Sequence, residues 1–326
     1  MALSDHRLSH VLAKCETDHA PDPRVTVFDV SVESKPDAVL LSGTVLTDHL
    51  KARAVEAVEA ETGVPVSASD VTVLERDARD RTVTAPVAPV RGDPDEDAEQ
   101  VTQVLYGAAL VGYDFGGDDS WRRVRTPDGY VGWVEREYLG VPSAIDADAV
   151  VAVGSHDAEA DPGTLYAGTE CEIVDRDDET VRVAFRTGVE HALPADVVAE
   201  IPQSISGEEV VETAREYLDT EYVWGGMTVE GIDCSGLTWM AYRRHGVTLP
   251  RDADLQRRMG TDVEREDLEP GDLLFFPGHV AMSLGGETFV HANGSGERVM
   301  VNSLDSDDDR YSERLDEGFE LAKRLV

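Results

Sequence analysis

GIDCSGLTWMAYRRHG, residues 231–246, sets a single cysteine between an aspartate and a serine, just ahead of an amphipathic run. Pro, Gly and Asp are sparse over residues 235–245, and Leu237, Met240 and Ala241 fall on one apolar stripe. The spacing predicts a buried helix that starts at Cys234. Unpaired N–H groups and the macrodipole at a helix start favour an anion, which lowers a thiol pKa and enriches the nucleophilic thiolate. Ser235 and neighbouring N–H groups are placed to donate to an oxyanion. Gly236, in the first turn, leaves room for a substrate to approach the backbone. A lone cysteine here would more often be a small apolar core residue, so its meaning depends on the rest of the chain.

Two histidines downstream shift that balance. GDLLFFPGHVAMSLGGETFVHANG, residues 271–294, reads as strands joined by tight turns. His279 and His291 are separated by an even number of residues. With a three-residue loop at Leu284-Gly285-Gly286 they lie directly opposite each other on one face, with Val280, Met282, Leu284 and Val290 on the other. A two-residue Gly-Gly turn would put them on opposite faces. Two imidazoles beside a helix-capping thiol suggest a base, His279, and an orienting partner, His291, which is the logic of Cys–His nucleophilic catalysis.

Composition limits the partners. The chain has 326 residues, with 66 acidic against 29 basic and a net charge of −37, so nucleic acid is not an expected partner. Lysine occurs only at Lys14, Lys35, Lys51 and Lys323. The acids are dispersed, and 41% hydrophobic content argues for folded cores under a carboxylate-dense surface, as suits a salt-rich, halophilic cytoplasm. The opening MALSDHRLSH has no apolar stretch of a secretory signal, and no run is long enough to insert into a membrane. Cys15, Cys171 and Cys234 are far apart and lack CxxC spacing, so neither a disulfide framework nor a zinc cluster is expected. The location read from these features is cytoplasmic.

Four segments follow from the patterning. Residues 1–80 hold a small α+β module, strand–strand–helix–strand over 25–75, similar to the BON-type fold. Residues 81–142 carry short strands with turn signals at Gly116-Gly117 and Asp128-Gly129, and with DGYVGW and Trp121 they resemble a bacterial SH3-like barrel. A fainter second barrel, without tryptophan, covers 143–202, with Cys171 inside a strand. Residues 203–326 open on a helix for which Ser206 and Glu209 form a capping box, and Val210, Val211, Ala214, Tyr217 and Leu218 line its apolar face. Arg243-Arg244-His245 reads as a solvated helix end that complements the dipole.

EYVWGG, DCSGLTWMAYRRHGVTLPRDADLQ, PGDLLFF and HVAMSLGG…FVHA, in that order, resemble the NlpC/P60 papain-like cysteine peptidases over about residues 208–326. The resemblance implies an α+β fold with the cysteine helix against an antiparallel sheet, Cys234 as nucleophile, His279 as general base and His291 as third polar residue. With the SH3-like region it extends to enzymes that cleave γ-D-glutamyl–diamino acid bonds in short cell-wall peptides with a free N-terminus. It maps amine-holding residues onto Glu99, Tyr130, Tyr222 and Asp233, with Ser235 also on the substrate side, and it implies no cofactor. Two departures stand out: only Phe276-Pro277-Gly278 precedes His279, and Ala253 follows LPRD where subgroup members often carry a serine. An amidase or acyltransferase using the same thioester chemistry, or a binding protein with a weak catalytic domain, are the competing readings. Zinc at Cys234, His279 and His291 is disfavoured by the spacing, and the Gly-rich run at residues 285–296 lacks a phosphate-loop pattern. Nothing in the sequence sets the oligomeric state.

Overall fold

The structure is a computed structural model that describes residues 5–35, 38–113, 120–158 and 161–326. The turn expected at Gly116-Gly117 lies outside the described residues. The chain divides into two compact units, residues 1–81 with 110–136, and residues 82–109 with 137–326. The SH3-like segment contributes strands to both.

In the first unit, helices α1 (Asp5–His19) and α2 (Asp48–Thr62) accompany a three-stranded sheet. Strand Phe28–Lys35 pairs antiparallel with Ala38–Val45, which pairs parallel with Val66–Val73. A right-handed crossover of about this length is what a parallel neighbour demands, and α2 supplies it. Thr47 caps α2, its Oγ1 accepting the Leu50 N–H at 3.2 Å. Helix α1 was not foreseen, yet Leu8 and Leu12 are buried beside Leu41, Val45 and Val58. The hairpin of Trp121–Arg125 and Val131–Glu135 turns at Asp128, whose Oδ1 accepts the Tyr130 N–H at 3.1 Å.

The second unit begins with the hairpin Val87–Arg91 and Gln100–Leu105. A five-stranded antiparallel sheet follows, in the order Glu190–Pro194, Thr180–Ala184, Glu170–Arg176, Ala149–Val151, Val198–Glu200. Cys171 is fully buried within it, and burial pushes its thiol up to about 12. Helix α3 (Gly207–Arg215) carries the capping box: Ser206 Oγ accepts the Glu209 N–H, and Glu209 accepts the Ser206 N–H at 2.8 Å. Val210, Val211, Ala214 and Tyr217 are buried, whereas Leu218 lies past the helix and is exposed.

Helix α4 (Cys234–Arg243) is buried from Cys234 through Tyr242. It packs on a six-stranded antiparallel sheet ordered Thr261–Val263, Leu321–Arg324, Leu273–Phe276, His279–Ser283, Thr288–Asn293, Arg298–Ser303. The sheet is covered on both faces. Val280, Met282, Val290 and Ala292 join the α4 core, while Phe276, Ala281 and Phe289 join Leu304 and Leu315 on the other side. Short helices α5 (Ala253–Gln256) and α6 (Glu313–Gly318) complete the unit. Among the described residues no helix is long and apolar enough to cross a membrane.

The C-terminal end of α4 differs from the expected solvated cluster. Arg243 pairs with Glu170 of the five-stranded sheet, and Glu170 also meets Arg186 at 3.3 Å, all three largely screened from water. Arg244 donates to the Ala152 carbonyl and pairs with Glu216. The cations sit where the helix dipole favours them, but the five-stranded sheet covers them. Removing Glu170 strands two largely buried guanidiniums, so Glu170→Ala is expected to lower unfolding free energy by about 1–3 kcal/mol, measured by denaturant titration. A change below about 0.5 kcal/mol would mean the pair is only a surface contact.

Candidate active site

Asp233 is the N-cap of α4, and its carboxylate holds the helix start in place. Oδ1 accepts the Gly236 N–H at 2.7 Å, and Oδ2 accepts the Gly225 N–H at 2.8 Å. Arg251, 1% exposed, forks onto the same carboxylate at 3.0 and 2.6 Å. Its remaining N–H groups reach Ser235 Oγ at 2.9 Å, the Gly226 carbonyl at 3.4 Å and Thr102 Oγ1 at 2.7 Å. All five guanidinium donors therefore have acceptors. Thr102 sits on Gln100–Leu105, the strand that also gives Gln103 Oε1 to the Met227 N–H at 3.0 Å and Gln100 Nε2 to the Trp224 carbonyl at 3.0 Å. Thr238 and Gln256 add a buried link between α4 and α5 at 2.7 Å.

These contacts revise three expectations. Asp233 receives two backbone N–H groups, both ends of Arg251 and the Ser235 hydroxyl at 3.2 Å. A carboxylate has about four lone-pair sites, so none is left for a substrate amine, and Asp233 serves as cap and counter-ion. The Ser235 hydroxyl is turned into the same network and does not face a substrate. The absent side chain of Gly236 makes room for the Gly226 carbonyl, with which a Cβ would collide, and not for a substrate.

The histidines share one face, but by a different register. Leu284 pairs with Thr288, and Met282 with Val290, so the loop is Gly285-Gly286-Glu287. His291 then opposes Ala281 and lies diagonal to His279, not directly across. The diagonal still brings the rings together, with His279 Nε2 2.8 Å from His291 Nδ1. His291 Nε2 is 2.9 Å from Asn302 Oδ1, and Asn302 Nδ2 donates to the Arg310 carbonyl at 2.9 Å. This network fixes the protons. Asn302 must present its oxygen, so His291 Nε2 carries hydrogen and His291 Nδ1 accepts from His279 Nε2. His279 Nδ1 is left with its lone pair. Asn302 was not anticipated, because its role depends on the neighbouring strand and not on any local motif.

Pro277-Gly278 is a two-residue turn, with Phe276 paired to His279 and Gly278 at φ +66°. His279 therefore stands at the end of its strand. The next N–H, of Val280, lies near enough to the Cys234 sulfur to favour its charged form, as does that of Ser235. The expected low-pKa thiolate is not the resting state. Cys234 is 7% exposed, and burial, reinforced by the Asp233 charge, pushes its thiol up to about 11 against those two N–H groups and Arg251. Burial likewise lowers His279 to about 3, with His291 adding to the effect, and lowers His291 to about 4. Desolvation outweighs the helix start, and the free site holds a neutral thiol beside neutral imidazoles.

Tyr222 is half-buried, and burial followed by the nearby Cys234 and Asp233 pushes its phenol up to about 12. Glu99 is exposed, one residue before the Gln100 contact with Trp224. Tyr130 is buried in the first unit, and the geometry of the second unit does not include it. Among the described residues no three His, Cys, Asp or Glu side chains converge as metal ligands.

Residues 219–314 match the NlpC/P60 family and residues 86–140 the bacterial SH3 domain. A dipeptidyl-peptidase 6 of Lysinibacillus sphaericus is 34% identical over 257 residues, covering 72% of this chain and 94% of that protein. A γ-D-glutamyl-L-lysine dipeptidyl-peptidase of Bacillus subtilis (strain 168) is 26% identical over 230 residues, 62% of this chain and 75% of its relative. Among solved structures, an NlpC/P60 family protein from Bacillus cereus ATCC 10987 superposes with a TM-score of 0.65 at 22% identity, over 76% of this chain and 100% of that one. The chain belongs to the NlpC/P60 family. The α+β class with an SH3-like domain and the peptidase class are those the motifs led us to expect.

Thr102→Val removes the acceptor for Arg251 Nε while keeping side-chain shape. It is expected to cost about 1–3 kcal/mol of stability as an unsatisfied buried donor and to lower kcat/KM, with Thr102→Ser restoring both. Equal behaviour of the Val and Ser variants in thermal unfolding and turnover would contradict the bracing role.

Proposed function

We propose that this chain is a cysteine peptidase that releases an N-terminal dipeptide from short γ-D-glutamyl–diamino acid peptides. The directional chain Asn302–His291–His279, ending on a bare Nδ1 at the Cys234 end of the strand, is the observation that carries this reading. Cys234 is the nucleophile. As its sulfur attacks the scissile carbonyl, His279 Nδ1 takes the thiol proton, and His291 stabilises the resulting imidazolium through its Nδ1 acceptor. The first N–H groups of α4, at Cys234 and Ser235, have no carbonyl upstream in the helix and are aligned with its dipole, which suits them to the oxyanion. His279 then gives its proton to the departing amine, and water hydrolyses the thioester by the reverse sequence. The names of the two dipeptidyl-peptidase relatives support the substrate class.

Glu99 is the acid we assign to the free α-amine, with Tyr222 as a further acceptor beside the thiol; an ammonium leaving water needs such partners. Asp233 is excluded from that role by its own saturation. A cytoplasmic, salt-rich setting fits three unpaired cysteines and the net charge of −37, and assays belong at high salt.

Cys234→Ala and His279→Ala are expected to abolish dipeptide release from a free-amine γ-D-glutamyl-L-lysine peptide, while an N-acetylated peptide is cleaved at least about tenfold more slowly by the parent enzyme. Equal cleavage of the two peptides would remove the amine pocket. The base must be neutral to act, and depressed imidazole pKa values keep it neutral in mild acid. The acid limb of kcat/KM is therefore expected below about pH 5, and a limb centred near 6.5 would contradict the buried base.

A further inference from the structure

Helix α6 packs on the sheet face that carries His279 and His291. At its start, Asn302 donates to the Arg310 carbonyl, and Ser303 exchanges backbone hydrogen bonds with Arg310 and Ser312 at 3.0 Å each. At its end, the Phe319 ring lies 6.1 Å from Phe276, and a Cβ on Gly318 would sit 3.7 Å from Pro277 Cδ. The helix thus bridges from the residue that fixes His291 to the turn that presents His279. Leu315 anchors it in the core with Phe276 and Phe289.

Arg314, beside Leu315, is exposed and makes neither an ion pair nor a hydrogen bond. In a chain with 66 acids that is unusual. Among the described arginines after Tyr217 only Arg258 shares the condition; the others pair with a carboxylate, including Arg257, Arg265, Arg298, Arg310 and Arg324. On its own helix Asp316 is taken by Arg265 and by the Tyr311 hydroxyl at 2.8 Å, and Glu317, the neighbour at i+3, makes no ion pair with it. Both His279 and His291 feel the Arg314 charge, which disfavours their protonated forms.

We propose that Arg314 binds a substrate carboxylate on the leaving-group side of the scissile bond. This rests on the assignment of Cys234 and His279 above. His279 must sit within hydrogen-bond reach of the departing amine nitrogen to protonate it, and the α-carboxylate of the released amino acid is two bonds from that nitrogen. An anionic substrate also approaches a surface of net charge −37, where a local unpaired guanidinium is the feature that offsets repulsion and fixes orientation. The site therefore favours a peptide in which the released diamino acid ends the chain with a free carboxylate. A γ-glutamyl link leaves a second carboxylate on the glutamyl unit, so the test must separate the two.

The experiment compares the parent enzyme and Arg314→Gln on three peptides: a free-amine γ-D-glutamyl-L-lysine peptide, its lysinamide, and the version with the glutamyl α-carboxylate amidated. Arg314→Gln is expected to raise KM about tenfold for the first and third and by less than about twofold for the lysinamide. Equal effects on all three, or none, would overturn the proposal, and loss of sensitivity only with the amidated glutamyl unit would overturn the leaving-side assignment. A second readout needs no substrate: the rate of Cys234 alkylation by iodoacetate relative to iodoacetamide. That ratio is expected to fall at least about threefold in Arg314→Gln, and an unchanged ratio would count against anion binding. If no peptide is cleaved by the parent enzyme, the assigned reaction fails, while the alkylation ratio still decides Arg314.

Discussion

The buried pair between Arg251 and Asp233 is the constraint on which the active site depends. A charge pair out of water is stable only when every donor and lone pair is satisfied, and one missing partner is expensive. Here the satisfaction is complete, and its members come from distant parts of the chain: Thr102 from a β-hairpin, Gly225 and Gly226 from the loop before α4, Ser235 from the helix itself. The same carboxylate caps α4, so the position of Cys234 is fixed by whatever fixes Arg251. At the other end of the helix, Arg243 and Glu170 tie it to the five-stranded sheet. Helix α4 is thus held at both termini by charged contacts to β-structure outside the peptidase fold proper.

Holding the helix this deeply has an electrostatic consequence. The dipole of α4 and two N–H groups favour a thiolate, but burial and the adjacent Asp233 charge prevail, and the thiol rests protonated. The same burial keeps His279 and His291 neutral. A neutral chain of donors and acceptors has a defined direction, from Asn302 through both rings to a bare nitrogen, and costs little to bury. In the proposed mechanism charge is created only when sulfur attacks carbon, and it is then divided between the oxyanion and the imidazolium that forms on the imidazole already in place.

Much of this was legible in the sequence, and the misses share a cause. The helix start at Cys234, the capping box at Ser206 and the shared face of His279 and His291 follow from spacing, which is local. The histidine register was off because a three-residue loop can begin at Leu284 or Gly285 with the same parity, and only pairing across the strands selects between them. Asn302 was out of reach because its partners His291 and Arg310 meet it only across the folded strands, and the neutral thiol because it depends on tertiary burial. Helix α1 was overlooked because its apolar face is a few residues, Leu8, Val11, Leu12 and Cys15, in an otherwise polar stretch. Arg251 stood in plain view in LPRD, but its five acceptors are assembled only in the fold.

The free enzyme keeps Cys234 as a thiol and His279 unprotonated. Infrared difference spectroscopy between the parent protein and Cys234→Ala at neutral pH reads that state directly through the S–H stretch. An S–H band that belongs to Cys234 and persists at pH 7 is expected. Absence of that band, with an imidazolium signal in its place, would show a preformed thiolate–imidazolium pair and contradict it.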